Sequence, residues 1–449
     1  VALAIERGEF KANEYEIQDT FIEPIYKAIK DMELKEINHR EIRVENLFFM
    51  DKGRTEVVLG DCVTCPPGFD QPLIYEPIER GMASPGGRGS GSLSDDLYAM
   101  GVTIVSLILG KNIIEHKTPD DLFKEKIEHG SYSALCGKRR IPVTVIEPLR
   151  GVLSDDPGDR WGVEEMNLWM EGKRQTPMQR KPALKSETPY IFMEIEYRNA
   201  KSLAHSFTQN VKEGAAAIKD EKLETWLRRN LEEGDLADSI NAIAAAAELH
   251  ENTFRGMDDY VVTKASILMD PEGPIRYKGL AFMPEGYGPA LAVELLRRNS
   301  MQTAAEVINH GITEIWYSAP CEKIRDEASI EFQSVFARLK TILQIEGPGF
   351  GIERCLYDLN ASLACQSPLI AELGIINIED LLPALDDIAD RTDKKLRPLD
   401  RHVTAFIAAR FKERIEPHLS ALAEPKDSSF MIGLLSLLAY LQWKLKAEP

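Results

Sequence analysis

The sequence has few cysteines and no long hydrophobic segment. Its 449 residues contain six cysteines, too few for a disulfide-stabilised scaffold and typical of a reducing compartment. The most apolar tract, Phe430 to Trp443, is shorter than the ~18–20 residues that span a bilayer, so it predicts a buried helix. No basic segment followed by an apolar one opens the chain, so no signal peptide is predicted. We therefore expect a cytoplasmic protein without a membrane span.

Positive charge is also scarce. Lys and Arg number 54 against 72 Asp and Glu, which gives a net charge of −18. Nucleic acids and anionic membranes are recognised by clustered positive charge, so both are excluded as expected partners. At about 100–200 residues per domain, the length predicts two or three domains.

The first third of the chain alternates short apolar runs with polar turns. The sequence starts without Met, in the apolar run Val1–Ile5, so we expect a piece of a longer protein and a buried strand at this run. Residues Ile17–Met32 have apolar side chains at helical spacing. Short strands are predicted at Leu47–Phe49 and Val57–Leu59. Residues 64–92 are rich in proline and glycine, which predicts a long loop.

A strongly apolar helix follows this loop. Ser94 is the expected N-cap, and Gly110 is the expected C-terminal end. Because its body is apolar all round, this helix is expected to be the buried axis of the domain. A last helix is predicted over Val163–Met170.

Five short motifs occur in a characteristic order in these elements. They are His-Arg-Glu-Ile-Arg-Val-Glu-Asn at 39–46, Asp-Cys-Val at 61–63, Ala-Ser-Pro at 83–85, Asp-Leu-Tyr-Ala-Met-Gly at 96–101, and Arg160. In this order they resemble the catalytic loop, the D-F-G and A-P-E motifs, the central helix and the late Arg of the C-lobe of eukaryotic-like protein kinases, here of a bacterial type. The resemblance covers residues 1–172.

The resemblance implies a mainly α architecture. Residues 1–172 are expected to form a protein-kinase-like C-lobe, with the N-lobe absent from this chain. A basic, proline-containing linker is predicted at 173–188, followed by an all-α domain at 189–449 that is conceivably split near 270–275. Tyr190–Tyr197 reads equally well as a strand or as a helix start. Apolar spacing predicts helices over Ser202–Ala217, Leu223–Leu231, Leu236–Ala247, Ala290–Arg298, Ile330–Ile345, Leu381–Ala389, Val403–Ile415 and Phe430–Leu445.

The resemblance also implies roles for polar residues. Asn46 and Asp61 would be the two Mg²⁺ ligands that hold ATP, since both offer oxygen donors. Glu41 stands at the position of the catalytic Asp, with Arg43 in the same loop. A Glu moves the carboxylate by about a bond length, and a ~1 Å misplacement can cost ~10²-fold in rate.

Four further residues are expected to be structural. His39 and Arg40 would hold the catalytic loop, and Asp96 would hydrogen-bond to it from the start of the central helix. Arg160 would pair with the Glu of A-P-E, which this sequence lacks. The nearest substitute carboxylates are those of Glu76 and Glu79.

Several departures weaken the case for phosphoryl transfer. Cys62 and Val63 replace the Phe and Gly of D-F-G, and a β-branched residue does not readily adopt the positive φ values open to Gly. The glycine-rich loop and strand Lys that clamp ATP would precede Val1. The glycine-rich stretch at 347–351 lacks a following Lys-Ser/Thr and is predicted to be a turn. Cys62 and Cys65 have no second cysteine pair at zinc-site spacing, so no zinc site is expected there.

Three hypotheses follow. The favoured one is a pseudokinase-like protein that acts as a signalling scaffold or switch and binds protein partners through its helical domain, with no cofactor. The alternative is a divergent active Ser/Thr-type kinase that uses Mg²⁺·ATP with an N-lobe outside this chain. In the third, the all-α domain is the functional unit and the kinase-like lobe is a docking platform.

Overall fold

The computed structural model describes the chain except residues 13–15, 63, 111–117, 179–184, 250–255, 322–326, 392, 394–397, 425 and 447–449. The chain is mainly helical, as predicted. It divides into two compact units, the first comprising residues 1–287 and 314–325, and the second residues 288–313 and 326–449. The predicted linker at 173–188 lies within the first unit, and its residues 179–184 are outside the described part.

The first unit contains thirteen of the labelled helices and three two-stranded hairpins. In chain order the elements are α1 (Ala2–Glu6), α2 (Glu23–Glu33, preceded by a π-helical turn at Ile17–Ile22), β1 (Leu47–Phe49), β2 (Val57–Leu59), α3 (Ile78–Gly81), α4 (Leu93–Leu109), α5 (Pro119–His129), α6 (Ser131–Cys136), α7 (Val143–Val152), α8 (Val163–Met170), β3 (Tyr190–Phe192), β4 (Ile195–Tyr197), α9 (Ala200–Gln209), α10 (Val211–Ile218), α11 (Glu221–Asn230), α12 (Gly234–Leu249), α13 (Met257–Met269), β5 (Ile275–Tyr277) and β6 (Leu280–Phe282).

Helix α4 is the axis of the core formed by residues 17–166. Every side chain from Asp95 to Leu107 is buried, as expected for a helix that is apolar all round. Its N-cap is Ser92 and not the predicted Ser94, because Ser92 and Asp95 form a capping box. Gly110 ends the helix with φ 60°, as predicted.

One prediction about the first residues was wrong, and the structure adds detail to another. Val1–Ile5 is not a buried strand: residues Ala2–Glu6 form α1, which has no fully buried side chain. Its backbone bonds are local, from the N–H groups of Ala4 and Ile5 to the carbonyl of Val1. The loop at 64–92 contains short helical turns, including α3, and many of its side chains are buried.

The three hairpins are antiparallel. Both predicted strands of β1–β2 are present, and Leu47 lies opposite Leu59. The β5–β6 turn places Lys278 and Gly279 at φ 48° and 79°, the positive values of a tight hairpin turn. The β3–β4 hairpin turns at Met193 and Glu194, also with positive φ; Tyr190–Tyr197 is therefore a hairpin.

A second core in the first unit joins the β3–β4 hairpin to α9–α13. Its buried side chains run from Phe192 to Met269. The single helix predicted over Ser202–Ala217 is two helices that meet at Asn210. A β-carbon on Gly214 would lie 3.0 Å from the carbonyl oxygen of Phe207, so glycine allows the two helices to pack closely at this corner.

The remaining helices belong wholly or partly to the second unit. They are α14 (Tyr287–Arg298), α15 (Gln302–Asn309), α16 (Ile312–Ser318), α17 (Glu327–Gln344), α18 (Ile352–Leu359), α19 (Leu381–Ala389), α20 (Arg401–Arg410), α21 (Glu416–Ala423) and α22 (Asp427–Leu445). The predicted turn at 347–351 is irregular, and the helix predicted over Val403–Ile415 ends at Arg410. Across the described residues, no helix combines the length and apolar character needed to cross a membrane.

Candidate functional site

A buried carboxylate at the start of α4 anchors the loop at 39–46. The Oδ2 atom of Asp96 accepts a hydrogen bond of 2.6 Å from the backbone N–H of His39, and its Oδ1 accepts one of 2.8 Å from the N–H of Arg40. Asp96 is 1% exposed. Burial raises the pKa of Asp96 to about 6, against the lowering effect of Arg40 and of the two N–H donors. We call this pair of bonds the loop anchor.

The loop anchor holds Arg40 in an unusual backbone conformation. Arg40 has φ 62°, which costs a non-glycine residue of order 1–3 kcal/mol unless its surroundings stabilise it. Its side chain passes close to two glycines: a β-carbon on Gly91 would lie 2.8 Å from its Cδ, and one on Gly68 would lie 3.3 Å from its Cβ. Its Nη2 then donates to both carboxylate oxygens of Glu76, at 3.0 and 2.8 Å. Arg40 therefore links the loop to Glu76 in a buried setting.

His39 joins the loop to the end of β2. Its Nδ1 accepts from the N–H of Glu41 at 3.2 Å, and its Nε2 lies 2.9 Å from the carbonyl of Gly60. These partners require a neutral ring with the proton on Nε2. Burial lowers the pKa of His39, despite the opposing effects of the Gly60 carbonyl and of the carboxylates of Glu41 and Asp61.

The carboxylate of Glu41 is enclosed. The residue is 3% exposed, and within the described part its Oε1 has no hydrogen-bond partner. Its Oε2 lies 4.0 Å from Nη2 of Arg43. Arg43 also donates from Nη1 to the carbonyl of Asp70 at 2.6 Å. The structure thus brings Glu41 and Arg43 together, with the carboxylate shielded from solvent.

The two residues expected to bind Mg²⁺, Asn46 and Asp61, are joined by a side-chain-to-backbone hydrogen bond. The Nδ2 of Asn46 donates to the backbone carbonyls of Glu41 (3.0 Å) and Asp61 (3.1 Å). Its Oδ1 packs against Gly60, since a β-carbon there would lie 2.2 Å from it. Asp61 is exposed. Asn46 is half-exposed, and its amide nitrogen is engaged by the two carbonyls.

The described residues contain no group of three or more His, Cys, Asp or Glu side chains placed to hold a metal ion. Cys62 and Cys65 are free thiols exposed to solvent. Val63, the third residue of the Asp-Cys-Val motif, is outside the described residues.

Arg160 has the substitute carboxylate that the sequence suggested. Its Nη2 lies 2.9 Å from Oε1 of Glu79, one of the two candidates, and its Nη1 lies 3.2 Å from Oδ1 of Asp95. Asp95 also pairs with Arg80 at 2.6 Å and lies 3.7 Å from Arg40. Although burial favours its neutral form, these guanidinium groups hold the pKa of Asp95 well below its usual value.

A buried lysine supports the same region from α5. Lys126 is 1% exposed, and its Nζ donates to the backbone carbonyls of Ile74 (2.7 Å) and Glu76 (2.9 Å). The Nζ also lies 5.0 Å from the ring centroid of Tyr98. Burial lowers the pKa of Lys126 to about 7, even though the carboxylates of Asp155 and Glu76 favour its charged form.

Residues 76–89, which we call segment 76–89, are held by the region after β5. The N–H of Ser84 donates to the carbonyl of Ala281 at 2.9 Å, and the N–H of Met283 donates to the carbonyl of Gly87 at 2.8 Å. Arg80 pairs with Glu285 at 2.6 Å. These contacts lie within the first unit, so residues on both sides of the predicted linker fix this segment.

No protein-family model matches the chain, and no solved structure gives a significant match to it.

Sequence reasoning singled out the polar residues of the loop but missed most of their partners. Asp95, Arg80 and Lys126 occur in stretches that resemble ordinary solvated helix turns, so their composition gave no sign of burial. Glu285 lies about two hundred positions from Arg80 in sequence. Of the two carboxylates named for Arg160, Glu76 and Glu79, the structure pairs it with Glu79.

Replacing Asp96 with Ala tests the loop anchor. Two buried N–H groups lose their acceptor and Arg40 loses a nearby charge, so the free energy of unfolding should fall by about 3–5 kcal/mol. The measurement is urea unfolding followed by circular dichroism at pH 8.

Asp51→Ala is the matched control. Asp51 also accepts two backbone bonds, from Thr55 (2.8 Å) and Glu56 (2.9 Å), but at an exposed turn. Water replaces the lost acceptor there, so its effect should be much smaller. Equal losses in the two variants would contradict the anchor.

The lowered pKa of Lys126 predicts how the free energy of unfolding depends on pH. Its pKa is about 7 in the folded protein and about 10.4 in the unfolded chain. Between these values the unfolded state binds more protons, so the free energy of unfolding should rise with pH, by on the order of 1 kcal/mol per pH unit. Below pH 7 both states are protonated and the contribution is flat.

The measurement compares wild-type protein with Lys126→Met from pH 6 to pH 10. Other titrating groups cancel in the difference between the two proteins. The wild type should gain stability relative to the variant as pH rises above 7. A constant difference across this range would show that Lys126 keeps an ordinary pKa.

Proposed function

We propose that residues 1–172 are a kinase-like lobe that has lost phosphoryl transfer and serves as a signalling scaffold, with partners bound through the helical region that follows. The observation that carries this proposal is a contrast within one loop. His39, Arg40 and Asp96, which hold the loop, are buried and hydrogen-bonded to one another or to the loop's neighbours. Glu41, at the position of the catalytic carboxylate, is enclosed instead, and its Oε1 has no partner among the described residues.

The first support is the state of Glu41 and Asn46. A carboxylate that accepts a proton from a substrate hydroxyl must reach that hydroxyl within hydrogen-bond distance. Glu41 is buried beside Arg43. The Oδ1 of Asn46 packs against Gly60. The Glu41 carboxylate would have to become exposed before it could meet a substrate hydroxyl here.

The second support is the fixed state of segment 76–89. In active kinases the activation segment changes arrangement, and that change controls activity. Here Ser84 bonds to Ala281 in β6, Gly87 bonds to Met283 just after it, and Arg80 pairs with Glu285. Because segment 76–89 is bonded to the rest of its own chain in this way, we assign it a permanent structural role.

The partner-binding role is assigned to the helical region because of its surface. In α22, Phe430, Leu434, Leu437 and Leu441 are buried, whereas Met431, Ile432, Leu435 and Trp443 are 47–71% exposed. Exposed large apolar side chains grouped on one helix are typical of surfaces that contact other proteins.

A phosphotransfer assay tests the proposal. The full chain, with radiolabelled Mg²⁺·ATP and a generic protein substrate, should transfer no more label than a protein-free reaction. Asp61→Asn should be indistinguishable from wild type, because no metal-dependent step depends on Asp61.

Thermal stability measured with millimolar Mg²⁺·ATP completes the test. A ligand that binds only the folded state at ~100 times its Kd stabilises by ~2.7 kcal/mol; we expect no such shift. Label transfer by wild type that is lost in Asp61→Asn would instead establish the active-kinase alternative.

A further inference from the structure

Helix α22 of the second unit carries a second apolar face, opposite its buried one. The large side chains on this side are Met431, Ile432, Leu435 and Trp443, which are 47, 67, 61 and 71% exposed. We call this side the outer face of α22. Among the described residues, no other helix exposes more than one large apolar side chain. The outer face is therefore a local concentration of apolar surface and not an average property of the helices.

The outer face is apolar in its middle and polar at its ends. At about 3.6 residues per turn, its four large side chains lie within about 120° of the helix circumference. Ala439, which is exposed, and Gln442, which is half-buried, fall in the same arc. Ser428 and Lys446, both exposed, lie at its two ends. No charged residue occurs between positions 428 and 443, so the outer face offers a partner apolar contact and shape in place of charge.

The order of side chains along the outer face suits a second copy of the same helix running in the opposite direction. A two-fold axis level with Leu437 sets Leu435 opposite Ala439 of the second copy. The same axis sets Met431 opposite Trp443. In a symmetric pair each contact occurs twice, and a large side chain facing a small one allows the helices to approach closely. A parallel pair would instead set Leu435 against Leu435 and Trp443 against Trp443, and would align the two helix dipoles.

The area of the outer face is sufficient for such a pair. The exposed parts of its four large side chains amount to roughly 500 Å² in one copy, the size of an apolar patch that often has a function. A symmetric pair would bury roughly 1,000 Å² in total, which is the lower bound for a specific protein–protein interface. An interface of this size is reversible, so monomer and dimer should interconvert with concentration.

We propose that two copies of the chain pair through the outer faces of α22, with the two helices antiparallel. The pairing rests on the proposed function, in which the helical region binds protein partners, and it makes a second copy one such partner. Two chains that each carry a net charge of −18 repel each other, and salt screens that repulsion beyond about 8 Å at physiological ionic strength. Because the middle of the outer face is uncharged, higher salt should strengthen the pairing.

Analytical ultracentrifugation of the full chain measures this pairing. Sedimentation equilibrium should show a reversible monomer–dimer equilibrium that is tighter at high than at low sodium chloride concentration. Leu435→Glu places an unpaired charge in the centre of the pair and should weaken dimerisation at least about a hundredfold. Leu296→Glu is the matched control, because Leu296 is 62% exposed and is the single exposed large apolar residue described on α14. Its dimerisation should equal that of wild type.

A side-chain exchange tests the antiparallel register. Leu435→Ala removes the large member of the contact and Ala439→Leu makes both members large, so each single variant should weaken dimerisation at least about tenfold. In the double variant the large and small side chains change places, so dimerisation should return to within about threefold of wild type. Both positions are exposed in one copy, so the fold of each variant, checked by circular dichroism, should be unchanged.

Four results would overturn the pairing. They are a chain that stays monomeric up to about 100 μM, a dimer that Leu435→Glu leaves unchanged, a double variant in which dimerisation is not restored, and a monomer that co-sediments with phosphatidylcholine vesicles. The last result would assign the outer face to a lipid surface. Each is distinguishable from failure of the proposed function, which would appear as label transfer in the phosphotransfer assay.

Discussion

The two hydrogen bonds accepted by the Asp96 carboxylate are the interaction on which the arrangement of the loop at 39–46 and segment 76–89 depends. By accepting from two successive backbone N–H groups, the carboxylate fixes the loop at 39–46 and holds Arg40 at positive φ. That conformation directs the Arg40 guanidinium to Glu76, the first residue of segment 76–89. From there the pairs of Arg80 with Asp95 and Glu285 extend the same structure to the region after β6. A single buried carboxylate thus connects the loop, helix α4 and the segment.

This network is costly to build, because each buried charge must be compensated. Removing one member of such a network leaves another charge without a partner, and that typically destabilises by about 3–5 kcal/mol. Arg160 illustrates the compensation: it contacts carboxylates from two elements, Glu79 and Asp95. Buried ion pairs often contribute little net stability but define one arrangement among alternatives. Here they fix the arrangement of residues around Asp95, beside the enclosed carboxylate of Glu41.

The sequence predicts the parts of this fold that depend on local patterns. Helix α4 is recognisable from its apolar run and from Gly110, and the signal for its true cap was also present, since Ser92 and Asp95 have capping-box spacing. The β3–β4 hairpin was undecided because Met193 and Glu194 are not typical turn residues. The pairs of Asp95 with Arg80 and Arg160 were not predicted, because nothing in the local sequence marks Asp95 or Arg80 as buried. The contacts of Arg80 with Glu285 depend on tertiary packing alone.

Hydrogen–deuterium exchange of the full chain, read at single-residue resolution, tests the central claim most directly. If the network fixes segment 76–89, the amides of Ser84 and Met283, which donate to Ala281 and Gly87, should exchange as slowly as the core amides of α4. Exchange of these two amides at the rate of an open loop, while α4 remains protected, would contradict the account. The segment would then be free to rearrange, as in a switchable kinase.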